Sequence, residues 1–474
     1  MKKLSIHPVT RIEGHARIDI FLDDNGRVAE TQFHVTQVRG FERFVEGRPY
    51  YEMPGITARI CGICPISHQL ASAKACDAIM AVTPPPAALK LRELVHAAQF
   101  VQSHALSFFH LSAPDLLLGF DSDPARRNIF GIIEENSELA KAGIGLRRFG
   151  QELIEGLAQE RVHPGWIVPG GVNAPLRPEV REKTLAGLPV ARAAADLALE
   201  VFKGALEKYQ EEIAHFGSEP TMFAGLTNDS GEPDWYDGLL QFREASGALA
   251  AADIRACDYA GFIGEAALRD TYMKAPYFKP VGYPAGVYRV GPLARLNVMT
   301  AFGTPAADRE LAEYRQRFGE CVKSSFLYHY ARLLELLHGI EKIELLLNEP
   351  SILGKHVRAR ASVNALEGMG MIEAPRGVLL HHYKVDESGA VRWCNLIVAT
   401  GHNNLAMNHD IGEVARHFID GNDFKEGMLN RVSALVRAYD PCLSCSTHAN
   451  GMPDVVVALR SSNGELIRMV DCHH

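Results

Sequence analysis

Arg59-Ile60-Cys61-Gly62-Ile63-Cys64-Pro65 near the start of the chain and Tyr439-Asp440-Pro441-Cys442-Leu443-Ser444-Cys445-Ser446-Thr447-His448 near its end decide how the sequence is read. Each holds a Cys-x-x-Cys pair, and an i, i+3 spacing lets two thiolates converge on one metal centre when the backbone turns between them. Gly62 and Ser444 keep those turns uncrowded, while Pro65 and Pro441 stiffen the flanks. Four thiolates are soft, strongly donating ligands, suited to zinc, to iron–sulfur clusters, or to nickel and iron. On spacing alone two such pairs also match a structural zinc knuckle. A knuckle usually staples a short segment, whereas hundreds of residues separate these pairs, and a chain of 474 residues can bury a large core without a staple. A thioredoxin-like redox pair is a further reading, yet neither pair follows a strand in a βαβ context. The spacing favours a buried centre joining the two ends of the chain and does not identify its metal.

The other five of the nine cysteines are isolated. Cys76, Cys257, Cys321 and Cys394 read as small buried hydrophobes, and an odd total does not look like a disulfide framework. Composition is that of an ordinary globular protein, 47% hydrophobic and 22% charged. A net charge of -8 and a pI near 6.2 argue against nucleic acid or an anionic membrane surface as the main partner. No run of eighteen apolar residues exists to span a bilayer. Ser5, His7 and Arg11 interrupt any signal-peptide core after Lys2 and Lys3, so a cytoplasmic chain is expected, unless a partner carrying a signal exports it.

Outward from the cysteines, periodicity predicts an α+β fold with a mainly helical core and small peripheral β-sheets. Ala16 to Phe21, the turn Asp23-Asp24-Asn25-Gly26 and Val28 to Val35 predict a hairpin. From Pro84 the spacing of Leu91, Leu94, Ala98 and Val101 is helical and ends near Ser112-Ala113-Pro114-Asp115. Further helices fit roughly 125–160, 178–215 and 306–347, and strands return at about 377–385 and 392–399. Gly- and Pro-rich passages between them read as ordered loops, so residues 1–448 are expected to form one domain.

Arg39-Gly40-Phe41-Glu42, then fifteen residues, then Ala58-Arg59-Ile60-Cys61-Gly62-Ile63-Cys64 resembles the N-terminal signature of nickel–iron (NiFe) hydrogenase large subunits. Tyr439 to His448 is similar to their C-terminal signature throughout. Thr10-Arg11-Ile12-Glu13-Gly14-His15, Ala113-Pro114-Asp115 and Glu373-Ala374-Pro375-Arg376-Gly377 extend the resemblance over nearly the whole chain. Ala58 departs from the usual polar residue or Met but is no ligand. Leu396 to Asn404 looks most like the cytoplasmic, bidirectional NAD-linked group, with Ala399 where many members have Pro.

The resemblance implies a large-subunit-like fold and nickel held by all four thiolates, Cys61 and Cys442 terminal, Cys64 and Cys445 bridging to an iron that carries CO and cyanide. Ala399 and Thr400 resemble the positions that pack against and hydrogen-bond those diatomic ligands. H₂ would split heterolytically at the metals, with a proton passing to Cys442 and then to Glu13, a carboxylate whose pKa burial would have to raise. Arg376 resembles a guanidinium held over the vacant metal position, with Asp115 and Asp440 as carboxylates around it. Glu42, His448 and the backbone carbonyl of Leu396 match a family site for magnesium, although imidazole is a less usual ligand for so hard a cation. Each of these residues also has a plain reading: a strand-end Glu13, a surface Arg376, a helix-capping Asp115, a surface Glu42.

The electrons must leave through a partner. After the four ligand cysteines no cluster-like set remains for an iron–sulfur relay, and no Gly-x-Gly-x-x-Gly fingerprint follows a strand to bind NAD. The resemblance thus implies an iron–sulfur small subunit, joined in an NAD-linked enzyme by a flavin diaphorase module. Ala449 to His474 reads as strand, turn (Ser461-Ser462-Asn463-Gly464) and strand, a hairpin matching the extension that a maturation endopeptidase removes in this family; Cys472-His473-His474 reads as a frayed end. The rival expectations are a hydrogenase large subunit linked to coenzyme F420 or to sulfur, a scaffold subunit related to respiratory complex I, and a structural zinc protein. The complex I relative lacks the four ligand cysteines.

Overall fold

Apolar residues at helical spacing build a bundle of long helices. In the computed structural model, which describes residues 2–268 and 271–448 and the backbone of 455–460 and 466–472, the helices Pro86–Ala105, Ser137–Ala158, Pro178–Ala205 and Tyr328–Asn348 pack in a ring, each against two of the others. Tyr328–Asn348 is buried on every side over most of its length, and its polar residues His329, Arg332, Glu335 and His338 are buried with it. This bundle is the helical core expected from periodicity.

Several boundaries differ from expectation, for local reasons. The span 125–160 is two helices, Ile129–Glu135 and Ser137–Ala158, because Asn128 and Asn136 each turn their side-chain oxygen onto a following backbone N–H and start a new helix. The span 306–347 breaks into Pro305–Phe318 and Tyr328–Asn348, and 178–215 stops at Ala205 before a short 3₁₀ turn. The helix expected to end near Ser112 instead widens into a π turn over Leu106–Ser112 and resumes as Ala113–Leu118. Pro114 has no N–H to give the preceding turn, and a widened turn accommodates it.

The sheets position the cysteines. Residues 2–6, 16–22 and 28–35 form an antiparallel sheet that contains the expected hairpin. Glu367–Ala374, Gly377–Val385 and Val391–Ile397 form a second, buried inside the molecule instead of lying at its edge, and the last strand ends before Ala399, which opens the short helix Ala399–His402. Sequence reading missed strand 367–374, the sheet of residues 222–254, and the helices Pro65–Met80, Asn404–Phe418 and Glu426–Tyr439. In helix Pro65–Met80 and strand 367–374 near-complete burial, with Gly368 and Gly370 at alternate strand positions, erases the periodic signal. Val455–Arg460 pairs antiparallel with Leu466–Cys472 as expected, and the turn assigned to 461–464 lies outside the described residues, as do His473 and His474.

Helix Pro65–Met80, which starts at Cys64, packs flat on strand 367–374, which leads to Arg376. The approach is so close that a Cβ on Gly370 would stand 2.0 Å from the Ala71 carbonyl oxygen. Gly370→Val should push helix and strand apart at a cost of about 1–3 kcal/mol, read as a lowered thermal midpoint, whereas Met369→Leu on the same strand should leave it unchanged.

Candidate metal centre

Cys61 follows a 3₁₀ turn over Ala58–Ile60, and Cys64 caps the N-terminus of helix Pro65–Met80. The second pair follows helix Glu426–Tyr439, which Asp440 terminates in the left-handed region at φ 55°, a conformation Asp tolerates better than most residues. The N-terminal segment braces the second pair. Glu13 forms a parallel bridge with Cys442, and its carbonyl accepts the Leu443 N–H at 3.0 Å. A Cβ on the next residue, Gly14 (φ +89°), would stand 2.7 Å from Leu443 Cβ, so only glycine lets the two strands of chain lie this close.

All four Sγ atoms lie within 4.8 Å of one another and all four residues are buried. Cys61 Sγ is 2.8 Å from Cys64 Sγ and 3.3 Å from Cys442 Sγ, and Cys442 Sγ is 2.7 Å from Cys445 Sγ. These separations exceed the S–S bond of about 2.05 Å, so the sulfurs are free thiols converging on one point. The backbone N–H groups of Ile63 and Cys64 donate to Cys61 Sγ at 3.3 and 3.0 Å, and the helix N-terminus adds partial positive charge. Hydrogen bonds from Cys442, Cys445 and Cys61 hold the Cys64 thiol well below its usual range, whereas burial pushes Cys442 and Cys445 well up. Four buried sulfurs this close together repel one another once ionised, so holding all four as thiolates needs cations. That donor set, soft and starved of positive charge, fits a transition-metal centre.

Arg376 supplies one cation. It is buried; desolvation opposes its charge, but Asp440 and the thiols of Cys442, Cys64 and Cys61 more than offset this and push its pKa up. Its Nε donates to the Asp440 carbonyl at 2.6 Å and its Nη2 to Asp440 Oδ1 at 3.0 Å, a two-point clamp, while Nη1 reaches Ser103 Oγ at 3.2 Å. Arg376, Ala399, Thr400, Cys64, Cys442 and Cys445 line one small cavity of about 10 Å³, room for one water-sized group. Thr400 Oγ1 accepts the Cys442 N–H at 2.9 Å.

A family model described as nickel-dependent hydrogenase matches residues 39–120 and 235–448, and a HoxL-like model matches residues 3–38. The chain belongs to the nickel-dependent hydrogenase family. Among its relatives, the beta subunit of the NAD-reducing hydrogenase HoxS of Cupriavidus necator is 38% identical over 98% of this chain and 99% of its own. The F420-non-reducing hydrogenase vhu of Methanocaldococcus jannaschii has a subunit that is 42% identical over 88% of this chain and 99% of its own. A crystal structure of an NAD⁺-reducing NiFe hydrogenase in the H₂-reduced state superimposes with a TM-score of 0.92 at 43% identity, covering 94% of this chain and all of that one. The hydrogenase large-subunit fold and hydrogenase activity expected from the signatures follow from these matches, and a zinc protein or complex I scaffold does not. Among the described residues no helix is long and apolar enough to cross a membrane.

The remaining residues singled out in this hydrogenase fall into three groups. Glu13 is half-buried at the cysteine loop, where its carboxylate accepts from the Ser444 N–H at 3.1 Å and from the Ser444 hydroxyl. Glu42 meets His448, Oε2 to Nδ1 at 3.0 Å, and accepts the Leu396 N–H at 3.0 Å, with Lys274 Nζ 3.6 Å from Oε1. Asp115 is not brought to Arg376: it pairs with Arg11 at 2.5 Å and Arg437 at 2.7 Å, and Arg437 in turn holds the Thr10 carbonyl. It fastens the segment before Glu13 to the helix before Asp440, because the π turn swings it that way. Sequence reading missed Ser444 as a ligand of Glu13, and Arg437, which no motif flags. His68, which also lines the cavity, was findable four residues beyond Cys64 on one helix face.

Behind Arg376, Arg295 donates to Glu335 at 2.5 Å, to Glu373 at 2.6 Å and to the carbonyls of Ala374 and Pro375. One guanidinium faces two buried carboxylates. Burial works against charge on both, but the Arg295 charge and hydrogen bonds win at Glu335, holding it near 2, whereas burial wins at Glu373 and pushes it up to about 7. An acid whose pKa is raised on folding keeps a proton that the unfolded chain releases. The Glu373 contribution to stability should therefore fall by about 3 kcal/mol as pH rises from 4.5 to 7, and the stability difference between wild type and Glu373→Gln, read from denaturant titrations, should move against wild type by that much over the same range.

Proposed function

We propose that this hydrogenase subunit splits H₂ reversibly at a nickel–iron centre held by Cys61, Cys64, Cys442 and Cys445, and passes the electrons to an iron–sulfur small subunit. The observation that carries the reading is the meeting of four buried sulfurs from opposite ends of the chain beside a clamped Arg376. When bound, the centre, with CO and cyanide on its iron, supplies H₂ binding and heterolytic cleavage.

The residues of the chain would bind, shield and move protons. Cys61, Cys64, Cys442 and Cys445 would hold the centre through their thiolates. Ala399 gives the cavity an apolar wall; Thr400, whose oxygen is engaged by the Cys442 N–H, keeps its own proton free to donate into the cavity. Arg376, held by Asp440, presents a fixed positive charge there without reorganising. Cys442 receives the proton and Glu13 carries it away, its carboxylate fixed at the cysteine loop by Ser444. Asp115 contributes at one remove, by anchoring Arg11 and Arg437. Glu42 and His448, 3.0 Å apart, would share a magnesium ion, with the Leu396 carbonyl as a further ligand, and the carboxylate suits its hardness.

The NAD linkage, with a flavin diaphorase module and a cytoplasmic location, rests on likeness to NAD-reducing hydrogenases in sequence and in structure. A second reading, with a different electron acceptor, is favoured by the comparable likeness to F420-non-reducing hydrogenases; the partner that co-purifies separates the two. Residues 1–448 form the catalytic domain in this reading, and 449–474 a propeptide that a maturation endopeptidase removes after His448. The family match ends at His448, and the solved NAD⁺-reducing chain is covered in full by 94% of this one.

Two outcomes follow. The purified complex should reduce a viologen with H₂, and mass spectrometry of its metal-loaded large subunit should find the chain ending at His448. Glu13→Gln should lower proton exchange with H₂ by at least about 100-fold while nickel and iron stay at wild-type content; undiminished exchange removes Glu13 from the proton path.

A further inference from the structure

The three residues before Asp440 are each held by a buried charged side chain from a different element. Arg437 pairs with Asp115, the Ala438 carbonyl accepts Arg332 Nη2 at 2.9 Å, and Tyr439 Oη donates to Asp410 Oδ2 at 2.5 Å. None of the roles above uses Asp410. It stands on helix Asn404–Phe418 and is fully buried, as is Arg289, whose Nη2 lies 3.0 Å from Asp410 Oδ1. Ser325 Oγ donates to Asp410 Oδ2 at 2.7 Å, and Arg289 also donates to the carbonyls of Gly217 and Lys323. Arg289 opens a second line of contact. The next residue, Val290, donates its N–H to Asn403 Oδ1 at 2.8 Å, and its carbonyl accepts the Tyr328 hydroxyl at 2.9 Å. After it comes Gly291, where a Cβ would stand 2.8 Å from the Arg376 carbonyl oxygen. Asp410 thus holds one chain segment that leads to Asp440 and another that packs against Arg376.

We infer that Asp410 is a positioning residue for the Arg376–Asp440 clamp, gripping one arm through Tyr439 and the other through Arg289. The inference rests on the nickel–iron reading above, since the clamp matters to turnover only if Arg376 stands over a metal centre. A buried ion pair is seldom kept for stability, because desolvation of both charges offsets most of their attraction. Its fixed geometry is what a clamp needs. Asp440 sits in the left-handed region at φ 55°, a conformation that a non-glycine residue keeps only where its surroundings impose it. Its backbone carbonyl and its carboxylate both receive Arg376, at 2.6 and 3.0 Å, so a rotation at Tyr439 would move both acceptors together. The Tyr439 hydroxyl ties that hinge to a carboxylate whose two oxygens are already held by Arg289 and Ser325. On the other arm, Gly291 is backed against the Arg376 main chain, so the guanidinium is steadied from its own backbone as well. A charge fixed in this way beside the cavity need not rearrange during the reaction.

The test is a double-mutant cycle on the holoenzyme complex, read as the CO and cyanide infrared bands, the kcat of H₂ oxidation, and nickel and iron content. Tyr439→Phe removes one hydrogen bond and leaves no buried charge unpaired. It should shift the bands and lower kcat about tenfold at wild-type metal content. Arg376→Lys already gives up the two-point grip on Asp440. Adding Tyr439→Phe to it should leave the bands in place and change kcat less than about twofold. Tyr328→Phe loosens the other arm and should behave in the same way, which keeps the test decisive if Tyr439→Phe fails to load nickel. Wild-type bands and kcat in both tyrosine variants would overturn the inference while leaving the metal centre standing. So would losses that multiply fully with those of Arg376→Lys, the mark of packing damage unrelated to the clamp. A wild-type complex without such bands would remove the nickel–iron reading, and this inference with it.

Discussion

Four sulfurs can share one centre only if the chain brings segments nearly four hundred residues apart into contact and holds them there against the repulsion of buried negative charge. Much of the architecture around the site meets these two demands. Backbone fixes the second pair: Glu13 pairs with Cys442 and Leu443, and Gly14 removes the side chain that would keep the N-terminal and Cys442 segments apart, while the first pair is held by His163, 2.8 Å from the Cys61 carbonyl, and by Gln99 and Gln102, which donate to the Ile63 carbonyl. Asp115 then ties both segments to the bundle through Arg11 and Arg437. A residue that resembled a catalytic carboxylate in sequence thus acts as a structural anchor, and the site depends on it no less.

The charge problem is met by fixed cations and N–H groups, not by solvent. Arg376 is clamped by Asp440 and backed by Arg295, whose guanidinium also grips the carbonyls of the turn carrying Arg376. Helix Pro65–Met80 points its N-terminus at Cys64, and loop N–H groups donate to Cys61. Such an arrangement need not reorganise when charge moves during turnover, which is the physical advantage of building the site in the interior. The surplus carboxylate of the Arg295 network, Glu373, has its pKa pushed up to about 7 by burial, so near neutral pH it carries less negative charge than an ordinary carboxylate would.

What the sequence revealed follows from which interactions are local. The cysteine pairs, the first hairpin, the bundle helices and strand 377–385 carry spacing or periodicity that can be read directly. Helix Pro65–Met80 and strand 367–374 do not: both are buried on nearly all sides, so neither shows an amphipathic stripe or a polar–apolar alternation. The structure brings Arg376 to Asp440 and Glu42 to His448, pairs whose members both stand in motifs. Asp115 pairs with Arg11 and Arg437, and no motif flags Arg437. The grip of Asp410 on Arg289, Ser325 and Tyr439 joins four elements with no shared spacing, so only the three-dimensional packing shows it.

The central claim is that Cys61, Cys64, Cys442 and Cys445 together ligate nickel next to iron. X-ray absorption at the nickel edge of the purified complex tests it most directly. The account predicts a first shell dominated by about four sulfurs with an iron scatterer just beyond, and loss of nickel when any one of the four cysteines is replaced by alanine. A nickel shell of nitrogen and oxygen, or zinc in place of nickel at the same four sulfurs, would contradict it.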